Sequence, residues 1–230
     1  MQERGGYGQF CPVSMASEVL CSRWTTLVVR ELLCGSTRFS DLRRGLPKMS
    51  PALLSKRLKE LQQAGVIAAL RRPNGSVEYH LSEAGEELRP LIMGLGNWAQ
   101  RWMESRLSLR NLDPSLLMWE MRRSLDISSR PERRCTIQFL YPELPTSQKS
   151  WWLVVEAGTV DLCNFDPGHD LDLMVQSSLR SMTAIWMGLA TVREEAEKGV
   201  LTLEGDPSLA RSIQQWLGLS AFAGVARRVQ

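Results

Sequence analysis

Between Phe39 and Leu81 the sequence leaves its backbone few choices. Phe39, Leu42 and Leu46 recur at intervals of three and four, the inner stripe of a short amphipathic helix. Pro47 cannot continue that helix and pushes the residue before it toward an extended conformation. Ser50 then supplies a capping hydroxyl and Pro51 a residue suited to the first helical position. Leu54, Leu58 and Leu61 mark the inner face of the helix so begun, and Gly65 ends it. Val66–Leu70 and Val77–Leu81 are β-capable segments joined through RRPNGS, where Asn74-Gly75 signals a tight hairpin because both residues tolerate positive φ. The pattern predicts a helix–turn–helix followed by a two-stranded wing.

The same stretch is strongly basic. From Arg38 to Arg72 there are nine Lys or Arg against two acids, Asp41 and Glu60, a local charge of +7 in a chain whose total is +3. That concentration matches what a duplex DNA backbone requires of a partner. The helix Ser50–Ala64 is expected to enter a major groove. Ser50 and Pro51 stand at its start, and Ala52, Ser55, Lys56 and Lys59 lie on the flank opposite the leucines. Small side chains there permit approach to base edges while basic ones neutralise phosphate. Arg38, Arg43 and Lys48 add charge around the turn. Arg71, Arg72 and Asn74 place the wing within reach of a minor groove or a phosphate. Taken alone, a basic hairpin is equally well read as a solvated surface; after a helix–turn–helix the DNA reading leads.

Flanking segments extend this domain. Pro12 stands near the start of a helical pattern whose inner face is expected to hold Val13, Ala16, Val19 and Leu20, and a second helix is expected over Trp24–Leu33, closed by Gly35. From Glu83 a longer helical pattern carries Leu88, Leu91, Leu95, Trp98 and Trp102 on roughly one face, with Pro90 in its first turns or at a bend. This stripe lies beyond an already complete winged domain, so it is expected to pair two copies of the chain. Residues 1–109 carry a net +5 and residues 110–230 a net −2, which divides the chain into a DNA-facing first domain and a second domain of another kind.

In that second domain Thr136–Leu140, Trp151–Glu156, Val160–Cys163 and Leu171–Val175 read as short strands between turn residues. Ser178–Met187, Val192–Lys198 and Ser208–Leu217 read as helices and Val200–Leu203 as a strand, giving an α+β domain with a mostly antiparallel sheet covered on one face. Asp161, Asp166, His169, Asp170 and Asp172 lack the ordered spacing of a calcium loop and read as a polar turn. No catalytic motif stands out, so neither an enzyme nor a cofactor is expected. The polar, glycine-rich MQERGGYGQF has no secretory pattern, and no apolar run is long enough for a membrane span. Five scattered cysteines look like the reduced thiols of a cytoplasmic protein.

The phrases CPVSMASEVL, RWTTLVVRELLCGSTRFSDLRRGLP, SPALLSKRLKELQQAGVI and VEYHLSEAGEELRPLI resemble, in order and spacing, the HxlR-type winged helix–turn–helix regulators of bacteria over about residues 10–105. The resemblance implies a dimer that binds operator DNA, although the arm from Arg71 to Ser76 is shorter than the wing associated with that family. It also implies a thiol-sensing alternative: Cys11 stands where some members carry a reactive cysteine. A thiol just before a helix start lies at the positive end of the helix dipole, which favours the thiolate; a small buried residue at a subunit contact is the plainer reading. VDLCNFDPGHDLDLMV, LRSMTAIWMGLATV and GVLTLEGDPSLARSIQQWL resemble the sterol-carrier-protein type 2 domain over about Leu116–Leu217. That resemblance implies an apolar tunnel for a hydrophobic small molecule, with Phe139, Trp151, Trp152, Trp186, Met187 and Trp216 as candidate lining, though each is individually more typical of plain core. The leading expectation is a dimeric transcriptional regulator answering to an apolar effector. The alternatives are a redox regulator acting through Cys11 and a hydrophobic-ligand carrier that does not bind DNA.

Overall fold

The computed structural model describes residues 6–104, 109–126 and 133–229; the first five residues of the polar N-terminal stretch lie outside them. Its contacts divide the chain into two compact units, Met1–Gly96 and Asn97–Gln230.

The first unit begins with α1 (Pro12–Leu20), α2 (Thr25–Leu33), α3 (Phe39–Gly45) and α4 (Pro51–Gln63), followed by the hairpin strands β1 (Ile67–Arg71) and β2 (Val77–Leu81). Val28, Val29 and Leu32 of α2, Leu42 of α3, and Leu54, Leu58 and Leu61 of α4 form one core with Ile67. The start of α4 is as the sequence predicts: Ser50 Oγ accepts from Leu53 N at 3.3 Å and Pro51 is the first helical residue. Its end is a Schellman motif. Gly65 takes φ 73°, its N–H donates to Gln62 O at 3.1 Å, and Val66 N–H donates to Leu61 O at 3.0 Å. Because Val66 is occupied in closing the helix, β1 starts at Ile67, one residue later than predicted.

Three further features differ from the sequence reading. On α1 it is Ser14 that is buried, while Val13 and Ala16 are exposed. The hairpin turn is not a two-residue Asn-Gly turn: among described residues other than glycine only Trp24 and Ala157 have positive φ, so Asn74 does not. Instead Gly75 N–H donates to Arg72 O at 2.9 Å across Pro73-Asn74, Gly75 alone turns left-handed at φ 81°, and Arg72 N–H donates to Ser76 O at 2.8 Å. Pro73 fixes a type I turn, and the following left-handed glycine restores the strand twist. A third short pairing also joins the wing at its root, where Tyr79 N–H donates to Thr37 O at 2.7 Å and Arg38 bridges Glu78.

The helical pattern after Leu81 is two helices, α5 (Glu83–Glu86), capped by Ser82, and α6 (Arg89–Trp102), in which Pro90 is the second residue. Ile92 of α6 is buried in the core of the first unit; Leu91, Leu95, Trp98 and Trp102 are exposed.

The second unit contains α7 (Pro114–Ser124), β3 (Cys135–Leu140), α8 (Thr146–Lys149), β4 (Ser150–Glu156), β5 (Thr159–Cys163), β6 (Leu173–Ser177), α9 (Leu179–Trp186), α10 (Val192–Glu197), β7 (Leu201–Gly205), α11 (Pro207–Arg211) and α12 (Ile213–Trp216). The sheet runs β5-β4-β3-β6-β7, antiparallel except for the β3–β6 pair. Ile137, Phe139, Leu153, Val155, Leu173 and Val175 point to one face and pack with Met118 and Met121 of α7 and Met182 and Ile185 of α9. The predicted strand at Leu171–Val175 begins two residues later. Asp172 stands at its entrance, its carboxylate accepting from Thr136 N at 2.8 Å and its own N–H donating to Thr136 O at 3.0 Å. The single predicted helix over Ser208–Leu217 is two, separated at Ser212.

Candidate nucleic-acid interface

The leucines that bury the inner side of α4 fix what its other side presents. With Leu54, Leu58 and Leu61 at most 1% exposed, the helix cannot rotate without uncovering three side chains, each worth about 1.5–3 kcal/mol of burial. Ala52, Ser55, Lys56 and Lys59 are therefore held outward, and all four are exposed. Their spacing of three and four keeps them on one flank. The start of α4, at Ser50 and Pro51, also carries the partial positive charge of a helix N-terminus, added to that of the lysines. Arg43 on α3, Lys48 in the turn and Arg71 at the end of β1 are exposed as well. None of Arg43, Lys48, Lys56, Lys59 or Arg71 forms an ion pair with a described residue.

The other basic residues in this stretch are engaged. Arg57 is mostly covered; its Nη1 donates to Glu60 Oε2 at 2.5 Å and its Nε to Arg23 O at 3.1 Å, which ties α4 to the start of α2. Arg72 donates through Nε and Nη2 to Glu78 Oε2 at 2.8 and 2.5 Å, and Arg38 Nε lies 3.8 Å from Glu78 Oε1. Arg72 holds the Glu78 carboxyl below the usual carboxylate range, with smaller contributions from His80 and Arg38, and burial opposes the effect. The same bond holds Arg72 more firmly protonated than an ordinary guanidinium. Asn74 Oδ1 accepts from Ser76 N at 3.0 Å and from Ser76 Oγ at 2.6 Å, so it shapes the turn. Glu78 is the residue of this surface that the sequence does not single out. It lies outside the charge window counted there, and its pairing with Arg72 and Arg38 appears only once the hairpin register and the Arg38 bridge are known.

The remaining predicted site residues fall as follows. Cys11 is an exposed free thiol at the N-cap of α1. Phe139, Trp151 and Trp216 belong to the core of the second unit, Trp186 packs at its margin, and Met187 follows the end of α9. Trp152 alternates with Trp151 along β4 and faces the opposite side of the sheet, so the six do not form one wall. Among the described residues no three of His, Cys, Asp and Glu gather as a metal site, and no helix is long and apolar enough to cross a membrane.

Residues 19–107 match the family described as HxlR-like helix-turn-helix. Over 99 residues the chain is 38% identical to the HTH-type transcriptional regulator YvaP of Bacillus subtilis (strain 168), the match covering 42% of this chain and 92% of that protein. It is 32% identical over 99 residues to the HTH-type transcriptional regulator sll1512 of Synechocystis sp., covering 42% of this chain and 73% of that protein. A solved structure, the reduced form of the transcriptional regulator YodB from B. subtilis, has 29% sequence identity and a TM-score of 0.36, covering 40% of this chain and 93% of that one. The family match ends before α7 and the five-stranded sheet. Through residues 19–107, this chain belongs to the HxlR-like helix-turn-helix family.

Proposed function

We propose that the chain is a DNA-binding transcriptional regulator that acts as a homodimer on double-stranded DNA, with α4 of each copy in a major groove. The observation that carries this reading is the outer flank of α4: Ala52, Ser55, Lys56 and Lys59, exposed and without acidic partners, on a helix locked from behind by three buried leucines. Arg43, Lys48 and Arg71 extend the positive surface to either side. The dimer is supported by Leu91, Leu95, Trp98 and Trp102, between 52% and 61% exposed at successive turns of α6; isolated monomers rarely leave so continuous an apolar stripe in water. Repeated selection of the full chain on a random-sequence duplex pool tests the reading. It should enrich a two-fold symmetric site, and no enrichment at low ionic strength would refute it.

The second unit carries the regulatory part of the proposal, a hydrophobic small molecule held by a sterol-carrier-like domain. Its apolar core and the partly covered Trp186 and Met187 at the end of α9 support this. Such a molecule regulates only if the two states of the dimer bind it with different affinity. Mass spectrometry of organic extracts from the purified protein should reveal a co-purifying apolar compound that changes duplex affinity when added back. Exposure of the Cys11 thiol favours a second reading, in which oxidation releases DNA. Operator binding that persists after diamide treatment, with Cys11 shown to be modified, would dispose of that reading.

A further inference from the structure

The wing is rooted on one carboxylate. The Glu78 side chain is only 11% exposed, and its Oε2 receives both Nε and Nη2 of Arg72, while Arg38 Nε approaches Oε1 and His80 Nε2 lies 3.3 Å from Oε2. Arg72 and Arg38 are nevertheless 50% and 67% exposed, and Arg72 Nη1 has no partner among the described residues. Two of the nine cations that make this surface basic thus share an internal counter-charge. A guanidinium already paired with a carboxylate has little net charge with which to release counterions from DNA. A phosphate that captures Arg72 must leave an almost buried carboxylate without its two shortest hydrogen bonds, with only Arg38 and His80 beside it, which is unfavourable. Arg43, Lys48, Lys56, Lys59 and Arg71 carry no such restriction.

We propose that Glu78 is a specificity-determining residue of the DNA interface: it competes with backbone phosphate for Arg72 and Arg38, so these two cations engage a duplex only where a close fit around the wing outweighs the carboxylate. The inference rests on the DNA-binding reading above. Arg43, Lys48, Lys56, Lys59 and Arg71 serve any duplex, whereas Arg72 and Arg38 are held for the correct one. Glu78 therefore lowers affinity for random sequence and widens the gap to the preferred site.

The test compares the full chain with Glu78→Gln, which keeps the side chain's size and removes its charge. Each is titrated by fluorescence anisotropy across a salt series against a random-sequence duplex and a duplex enriched by selection. For the variant on random duplex, the slope of log affinity against log salt should steepen by roughly 0.9 for each cation released, so by about one to two in all. Its low-salt affinity should rise at least about threefold, and the ratio between selected and random duplex should fall. An unchanged slope and ratio, or weaker binding to random duplex, overturns the proposal. The wild-type chain provides a check that does not depend on how the variant folds. In its NMR spectrum the Arg72 Nε–Hε resonance should move on adding selected duplex and stay in place with random duplex. Equal movement with both, or none with either, also overturns it. Should the wild-type chain bind neither duplex, the DNA-binding reading itself fails; intact binding with Glu78→Gln behaving as wild type defeats this inference alone.

Discussion

Replacing Gly45 by alanine should damage the first unit far more than one added methyl group suggests. Gly45 is the last residue of α3, and a Cβ built there lands inside the carboxyl group of Glu31 on α2. Even the farthest of the three carboxyl atoms, Oε1, would be 2.6 Å away, whereas real Cβ contacts do not fall under 3.0 Å. Glu31 is fully buried, 3.3 Å from Arg30 Nη1 and 3.3 Å from Ser36 Oγ, so its displaced carboxylate has no nearby water to replace those partners. Breaking a buried charged pair typically costs about 3–5 kcal/mol. Alanine's better helix propensity returns about 0.5–1 kcal/mol, so the net loss is roughly 2–4 kcal/mol. For a domain of this size that lowers Tm by about 8 °C or more. Urea denaturation of the full chain, with hydrogen exchange read on separate peptides, should show faster exchange in α2–α4 and unchanged protection in β3 and β4. Adding Glu31→Ala removes the obstructing carboxyl, so the double variant should cost less than the two single losses together. Were Gly45→Ala within about 0.5 kcal/mol of wild type, the close packing of α3 on α2 described above would be wrong.

Other perturbations separate the roles assigned to individual side chains. Ala52→Leu and Ser55→Ala, on the outward flank of α4, should change which duplex is enriched by selection while leaving the salt slope nearly intact; an unchanged preference in both would remove that flank from base reading. Trp98→Glu on the exposed face of α6 should shift the sedimentation mass from dimer to monomer, and a wild-type chain already monomeric at micromolar concentration would contradict the pairing. Leu58→Ala should cost about 2–5 kcal/mol by urea denaturation, because the side chain is 1% exposed and its removal leaves a cavity behind α4. In the second unit Lys198, and after it the Ser181 hydroxyl, hold the Glu195 carboxyl below its ordinary value of 4.5. A lowered carboxyl contributes stability that is complete above 4.5 and is lost as pH falls through the folded value. Glu195→Gln should therefore flatten the acid side of the pH–stability curve, and an acid limb identical to wild type would show that this pair plays no such part.

How far the sequence revealed this structure depended on whether the signal was local. α4 was legible in full because its start, inner stripe and stop are encoded in adjacent residues: Ser50-Pro51, three leucines and Gly65. The hairpin's position was legible, but its turn type was not, because Pro73 constrains the backbone before Asn74-Gly75 can act as a two-residue turn. On α1 the apolar spacing predicts an inner face, yet Val13 points outward; periodicity locates an apolar stripe without saying what covers it. α7 is not apparent from periodicity, although Asp113-Pro114 is a helix start, with Asp113 Oδ1 accepting from Ser115 N at 3.0 Å and Leu116 N at 3.2 Å. Every residue from Leu117 to Met121 is buried, the charged Glu120 among them, so burial along this helix does not follow the apolar–polar period that a sequence pattern can show. The basic surface was visible as a count of cations. Its division between outward lysines and arginines engaged by Glu78 and Glu60 required the register of β1 on β2 and the packing of α4.

The most direct test of the account is the salt dependence of duplex binding for the wild-type chain and for a variant with Lys56, Lys59 and Arg71 all changed to alanine. If each of these cations meets a phosphate, the slope of log affinity against log salt should become shallower by roughly 0.9 per residue, about 2.7 in total. A slope identical to wild type, or a wild-type chain that binds no duplex at low ionic strength, would contradict the claim that the outer flank of α4 and the wing face DNA.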